Sequence, residues 1–180
     1  MSVRIIYFVH GTTTDNEEHK STGQNPGILS ELGKKQSKEL RSKIDLDAID
    51  LVFCSDLQRA IDSANLTFKD SKEIIYDSRI RECNYGDLNG HDSSLVIDEE
   101  HIDIPFPNGE SMRDVEKRLR EFCKYLLDNY NGKTIAIVAH KAPQLALDVI
   151  TKKISWEQSL EQDWRKTKSW QPGWIYEINN

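Results

Sequence analysis

The chain has 180 residues, 37% apolar and 30% charged, with 9 glycines and 5 prolines. That balance excludes disordered, collagen-like and linker-array classes and predicts one globular domain over residues 1–180. Lys and Arg number 24 against 30 Asp and Glu, a net charge of −6, so a nucleic-acid partner, which needs a field of positive charge, is not expected. The longest apolar runs, Ile5 to Val9 and Ile135 to Ala139, are far shorter than the roughly 18 residues of a membrane helix, so no membrane partner is expected.

The N-terminus enters a strand-like segment without the basic, apolar, small-residue order of a secretory signal, and a cytoplasmic location is expected. Val3 to Val9 is a continuous Ile/Val-rich run, the pattern of a parallel strand covered on both faces. Leu29, Leu32, Gln36 and Leu40 recur at helical steps. Leu51 to Cys54 is a second strand, after which Ser55 or Asp56 is predicted to cap a helix through Arg59, Ala60 and Ala64. Ile74 to Tyr76 is a shorter strand. Residues 84–110 hold Gly86, Gly90, Pro105, Pro107 and Gly109 without sustained periodicity, and predict a long loop; such loops in compact domains are usually functional.

Val115, Leu119, Phe122 and Leu126 mark the next helix, entered at Ser111 with Asp114 three residues on and left at Gly132. Thr134 to Ala139 repeats the buried-strand pattern, Ser155 with Gln158 forms a second capping pair, and Trp174 to Ile178 is the last strand. Strands alternating with helices predict a three-layer α/β/α fold with a mainly parallel central sheet. The three cysteines, Cys54, Cys83 and Cys123, are odd in number and widely spaced, which suggests reduced thiols and not a disulfide framework or zinc site.

In an open parallel sheet, ligands bind beyond the carboxyl ends of the strands. The first strand ends at His10-Gly11, the 134–139 strand at His140, and the 51–54 strand at Ser55, with Arg59 one turn on. Either histidine alone reads most simply as a packed residue, but two at the ends of two parallel strands is a less probable accident. His19, His91 and His101 sit in polar segments and are expected at the surface. Two histidines and an arginine, without a metal-ligand spacing, describe an anion site: the guanidinium fork suits phosphate oxygens, and a helix N-terminus would add backbone amides. No metal or other cofactor is expected.

At this point the sequence resembles the histidine phosphatase superfamily, the phosphoglycerate mutase-like proteins, over nearly its whole length. His10-Gly11 with Thr13 and Asn16 resembles the start motif, Ser55-Asp56-Leu57-Gln58-Arg59-Ala60 the Ser-x-x-x-Arg-Ala segment, and Arg79-Ile80-Arg81-Glu82 with Tyr85-Gly86 the Arg-Leu-x-Glu and aromatic-Gly segment. Pro107-Asn108-Gly109-Glu110-Ser111 and Val138-Ala139-His140 complete the ordered set. The resemblance departs at the start: Val9 stands where the family has a phosphate-binding Arg, Thr12 where it has Glu, and Lys141 follows the second histidine where it has Gly.

The resemblance implies a phosphoglycerate mutase-like fold and a phosphatase acting on a small phosphorylated substrate, with His10 as nucleophile, Glu82 as general acid and then base, and His140 completing the catalytic set. Gly11, Thr13, Asn16, Arg59 and Lys141 would bind substrate, Lys141 restoring part of the charge missing at Val9. Two alternatives share the fold: a catalytically weakened phosphate-ligand binding or regulatory protein, and a phosphoglycerate mutase-type phosphotransferase. Two rival motifs fail on spacing. Cys54 to Arg59 is one residue short of a cysteine-phosphatase loop, and Gly27 to Lys34 one residue too long between glycines for a P-loop. Four tryptophans, Trp156, Trp164, Trp170 and Trp174, crowd the C-terminal segment; they are expected to pack it onto the body, with one or two reaching the pocket as the lesser alternative. Arg165, Lys166 and Lys168 are candidates for a second anionic group. The oligomeric state is not legible.

Overall fold

A computed structural model describes residues 1–179. Five strands form the central sheet in the order β4-β3-β6-β1-β7: β1 is Ser2–Val9, β3 Leu51–Cys54, β4 Ile74–Tyr76, β6 Thr134–Ala139 and β7 Trp174–Asn179. β1, β3, β4 and β6 run parallel, whereas β7 lies antiparallel on the β1 edge. The burial of β7 alternates, with Tyr176 and Ile178 inside and Ile175 and Glu177 outside, as an edge strand covered on one face requires. Because β1 connects toward β3 and β6 toward β7, the chain departs in opposite directions from the two adjacent strands β1 and β6, and a crevice opens at their carboxyl ends.

Alternate residues of the buried strands feed two apolar layers. Phe8, Val52, Cys54, Ala136 and Val138 pack with Ala60, Ala64 and Phe68 of α3 (Gln58–Phe68). Tyr7, Phe53 and Ile137 pack with α4 (Met112–Asn129) and α5 (Lys141–Lys152). The α4 entry is a capping box in which the Ser111 side chain accepts from the Asp114 N–H and Asp114 returns the bond, and Ser155 with Gln158 repeats it at α6 (Trp156–Glu161). The predicted cap of α3 is different: Leu57 is the N-cap without a side-chain bond, because Ser55 Oγ is engaged with His140 and the Asp56 carboxylate takes both guanidinium contacts of Arg81 at 2.6 Å.

Residues 84–110 are not an open loop. Short 3₁₀ turns at Gly86–Leu88, Ser93–Leu95 and Asp98–His101 are joined by the small strand β5 (His91–Asp92), which pairs with β2 (Lys20–Ser21). Ile102 and Phe106 anchor the segment in the core, where Tyr85 packs edge-on against Phe106 at 5.1 Å. His101 stacks on Phe106 at 3.7 Å, so it is a packed residue and not the solvated one its sequence context suggests.

The helix predicted from Leu29 spans Glu31–Leu40 (α2), capped by Ser30, and Leu32 is exposed while Gly33 and Ser37 are buried. Its inner face is made of small residues because α2 lies against the chain leaving β1: a Cβ on Gly33 would fall 1.9 Å from the Thr12 carbonyl oxygen, and one on Gly11 2.5 Å from the Gly33 carbonyl oxygen. Backbone cannot yield as a flexible side chain would. Gly33→Ala is therefore expected to destabilise the fold by about 2 kcal/mol or more, read as a lower urea midpoint; an unchanged midpoint would contradict this close approach.

Candidate active site

The chain emerging from β1 presents His10 directly after the strand. His10 Nδ1 lies 2.7 Å from the Gly11 carbonyl oxygen and Nε2 lies 3.2 Å from Arg59 Nε. A carbonyl can only accept and a guanidinium can only donate, so Nδ1 carries the proton and Nε2 a lone pair. Burial first, and then the Arg59 charge, lower the His10 pKa from 6.5 to about 3, although the Gly11 bond opposes them. The imidazole is neutral at physiological pH.

Arg59, almost completely buried on the first turn of α3, reaches this nitrogen because its other donors are fixed: its two terminal nitrogens donate to the carbonyls of Gly23 (2.6 Å) and Asn25 (3.2 Å). One turn on, Ser63 Oγ accepts the Gly11 N–H at 3.0 Å and donates to the Arg59 carbonyl. His140 caps α5, fully buried, its ring centroid 5.1 Å from that of His10. Burial and the Arg59 charge hold it well below the usual imidazole range. Its Nε2 meets Ser55 Oγ at 2.8 Å, and its Nδ1 has no partner among the described residues. Tyr7 fixes the His140 backbone at both ends: the phenol donates to the carbonyl at 2.7 Å and accepts from the N–H at 3.1 Å.

Glu82 is buried against the start of α5. Its Oε1 accepts from the N–H groups of Ala142 (2.9 Å) and Cys83 (3.0 Å), and Oε2 from that of Lys141 (3.2 Å). The α5 N-terminus is thus occupied by a carboxylate. Arg118, on α4, donates to the carbonyls of Arg79, Arg81 and Glu82 and pairs with Glu110 at 2.9 Å, clamping the segment that carries Glu82. Tyr7, Ser63 and Arg118 were absent from the sequence reading: each acts through a backbone group of a site residue, a contact with no local signature.

A cavity of about 860 Å³ brings His10, Gly11, Asn16, Arg59, Glu82 and Lys141 to one surface, with Thr12, Gln36, Trp164, Arg165 and Trp170 also on its wall. His140, fully buried, is not among the residues on that surface, and neither is Thr13. Thr13 is fully buried too, its hydroxyl accepting from the Asn16 N–H at 3.0 Å while Asn16 Oδ1 accepts the Thr13 N–H, a capping box for α1 (Thr14–Glu17). The Thr12 hydroxyl is taken by Gln36 at 2.9 Å. Lys141 lies between two carboxylates: its ammonium is 2.5 Å from Asp98, and although burial alone would lower its pKa, Asp98 and Glu82 outweigh that and raise it. His19 lines the cavity, exposed, with left-handed backbone at φ 57°. Trp164 and Trp170 reach the cavity, while Trp156 packs the core and donates to Glu116 at 2.7 Å. Cys54 is no rival nucleophile, since burial pushes its thiol pKa far up.

A profile of the histidine phosphatase superfamily (branch 1) matches residues 6–165. The chain belongs to that superfamily. It is 29% identical to the 2,3-bisphosphoglycerate-dependent phosphoglycerate mutase of Nitrobacter winogradskyi over 91% of this chain and 88% of that one. Phosphoserine phosphatase 1 of Hydrogenobacter thermophilus is 27% identical over 81% of this chain and 74% of its own. The structure of mycobacterial glucosyl-3-phosphoglycerate phosphatase complexed with VO3 superposes with a TM-score of 0.73 at 26% identity, covering 87% of this chain and 85% of that one. The relatives thus include both phosphatases and mutases, and the mainly parallel sheet flanked by helices is the fold of these neighbours. No helix among the described residues is long and apolar enough to cross a membrane.

The lowered pKa of His10 ties stability to pH. Between pH 6.5 and about 3 the unfolded chain binds a proton at this position that the native state does not, so stability is lost as pH falls through that window. At pH 5 the His10 contribution amounts to about 2 kcal/mol relative to pH 7.5. His10→Gln is expected to show a correspondingly shallower loss of urea-unfolding free energy between pH 7.5 and 5; identical losses in both proteins would contradict a neutral His10.

Proposed function

We propose that the protein is a phosphatase that hydrolyses a small phosphomonoester through a phosphohistidine on His10. The observation that carries this reading is the Nε2 lone pair, held on a neutral ring by the Gly11 carbonyl on one side and offered beside a guanidinium on the other. A neutral, oriented imidazole is what covalent phosphoryl transfer demands of its nucleophile.

In the first step His10 Nε2 bonds to phosphorus as the phosphorus–oxygen ester bond breaks, and Glu82 gives its proton to the departing alkoxide. The Arg59 Nε–H turns from Nε2 to a phosphoryl oxygen, and the reading gives a second oxygen to His140, whose ring centroid lies 5.1 Å from that of His10. In the second step Glu82 takes a proton from water, the water oxygen bonds to phosphorus, and the phosphorus–nitrogen bond breaks, restoring the lone pair. Asn16 and Gly11 line the same wall. Guanidinium and imidazole donors supply the charge stabilisation in this scheme, and Glu82 favours an enzyme over a binding protein because a binder needs no proton donor.

A panel of phosphomonoesters tests the reading. His10→Ala is expected to abolish turnover and the acid-labile, alkali-stable phosphoryl label left by a brief incubation with substrate. A labelled, active His10→Ala enzyme would overturn the assignment. Glu82→Gln is expected to lower kcat on the order of a hundredfold or more for alkyl phosphates, and much less for p-nitrophenyl phosphate, whose leaving group departs unprotonated. Equal losses on both would remove Glu82 from the acid role.

A further inference from the structure

A phosphoryl dianion seated over His10 brings two negative charges into a crevice that also holds Glu82. Arg59 alone cannot balance them, because it carries a single positive charge; its Nε faces His10 and its terminal nitrogens each give one N–H to the carbonyls of Gly23 and Asn25. The other cations on the cavity wall are Lys20, Lys43, Lys141 and Arg165. Lys20 pairs with Glu18 at 2.6 Å, and Lys141 lies between Asp98 and Glu82. Lys43 follows the far end of α2 and lies over the exposed Trp170 ring at 5.6 Å, away from the Thr12 end of that helix.

Arg165 differs in how it is held. It sits on the short helix α7 (Trp164–Thr167), with its guanidinium carbon 4.3 Å from the Trp164 ring centroid, and Trp164 in turn stacks on Trp174 at 5.1 Å. Trp164 Nε1 donates to Gln144 at 3.0 Å, fixing the ring to α5. Asp163, itself buried, takes one terminal nitrogen of Arg165 at 2.8 Å; the other has only a 3.4 Å contact with Gln144. Trp174 pairs with Tyr7 across β7 and β1, two residues before Val9, so the stack stands beside the end of the strand that delivers His10. A planar guanidinium locked by ring, carboxylate and amide, with donors remaining toward the cavity, is pre-organised for oxyanion contact.

We propose that Arg165 is the second guanidinium of the phosphoryl site, supplying from the C-terminal segment the cation that Val9 does not. This rests on the phosphatase reading above and names one more phosphate-binding residue for it. The field of Arg165 acts on His10, adding to the causes that lower its pKa, which agrees with the placement. The Trp174–Trp164 stack then has a function beyond packing: it aims the arginine.

Binding of inorganic phosphate by calorimetry and hydrolysis of p-nitrophenyl phosphate, measured on the same proteins, test the assignment. Arg165→Ala is expected to weaken phosphate binding on the order of tenfold and lower kcat/KM on the order of a hundredfold. Arg165→Lys keeps the charge without the fork and is expected to fall between. Lys124→Ala, which removes an exposed charge paired with Asp128 on α4, is expected to match wild type. Adding Val9→Arg to Arg165→Ala is expected to recover at least about tenfold of the lost kcat/KM, a rescue no purely structural role predicts. An Arg165→Ala protein with wild-type near-ultraviolet tryptophan signal and phosphate affinity within about twofold would overturn the proposal. If that variant loses its tryptophan signal, Arg165→Lys indistinguishable from wild type would overturn it equally. A wild type inert toward phosphate and every ester would instead overturn the phosphatase reading.

Discussion

The site depends on one imidazole being kept without charge and with its lone pair on a chosen side. Two bonds do this: the Gly11 carbonyl accepts from Nδ1, and Arg59 approaches Nε2 as a donor that no imidazolium could tolerate. Each bond has its own support. Gly11 keeps its position through its N–H to Ser63 and through the close approach of α2, which only small residues permit. Arg59 keeps its direction by giving one N–H from each terminal nitrogen to a main-chain carbonyl. His10 and Arg59 are therefore parts of one hydrogen-bonded unit joining β1 to the first turn of α3.

The topology brings the rest to that unit. β6 lies between β1 and β3, so His140 emerges beside His10 and across from Ser55. Tyr7, on β1, grips the His140 backbone, and the first amides of α5 grip Glu82. Arg118 and Glu110 secure the Glu82 segment from behind, as neighbouring groups must where a reacting side chain is to hold still. The 84–110 segment, anchored by Ile102 and Phe106, carries Asp98 to Lys141 and leaves that lysine balanced.

Much of this was legible in the chain. Continuous Ile/Val runs identified the central parallel strands, and the residues directly after them supplied His10, His140 and Arg59. The capping pairs at Ser111 and Ser155 were readable because a cap is a local contact. What escaped was decided over distance. The antiparallel direction of β7 is set by its pairing with β1 and leaves no mark beyond alternation in a short strand. Thr13 reads as a ligand by motif but is drawn inward by its bonds with Asn16. That Glu82 fills the α5 N-terminus could not be read either, because the two lie far apart in sequence. Arg165 is an ordinary basic residue in the sequence and becomes distinctive only when two tryptophans are stacked behind it.

Nuclear magnetic resonance of uniformly ¹⁵N-labelled protein, following the two-bond correlations of the histidine rings with pH, tests the central claim most directly. The structure predicts a His10 ring that stays neutral from pH 8 to below pH 5, with the proton on Nδ1 and an unprotonated Nε2 that shifts when inorganic phosphate is added. A His10 that titrates near pH 6.5, or that carries its proton on Nε2, would contradict the claim, since the first ring is not held neutral by its surroundings and the second turns no lone pair toward Arg59.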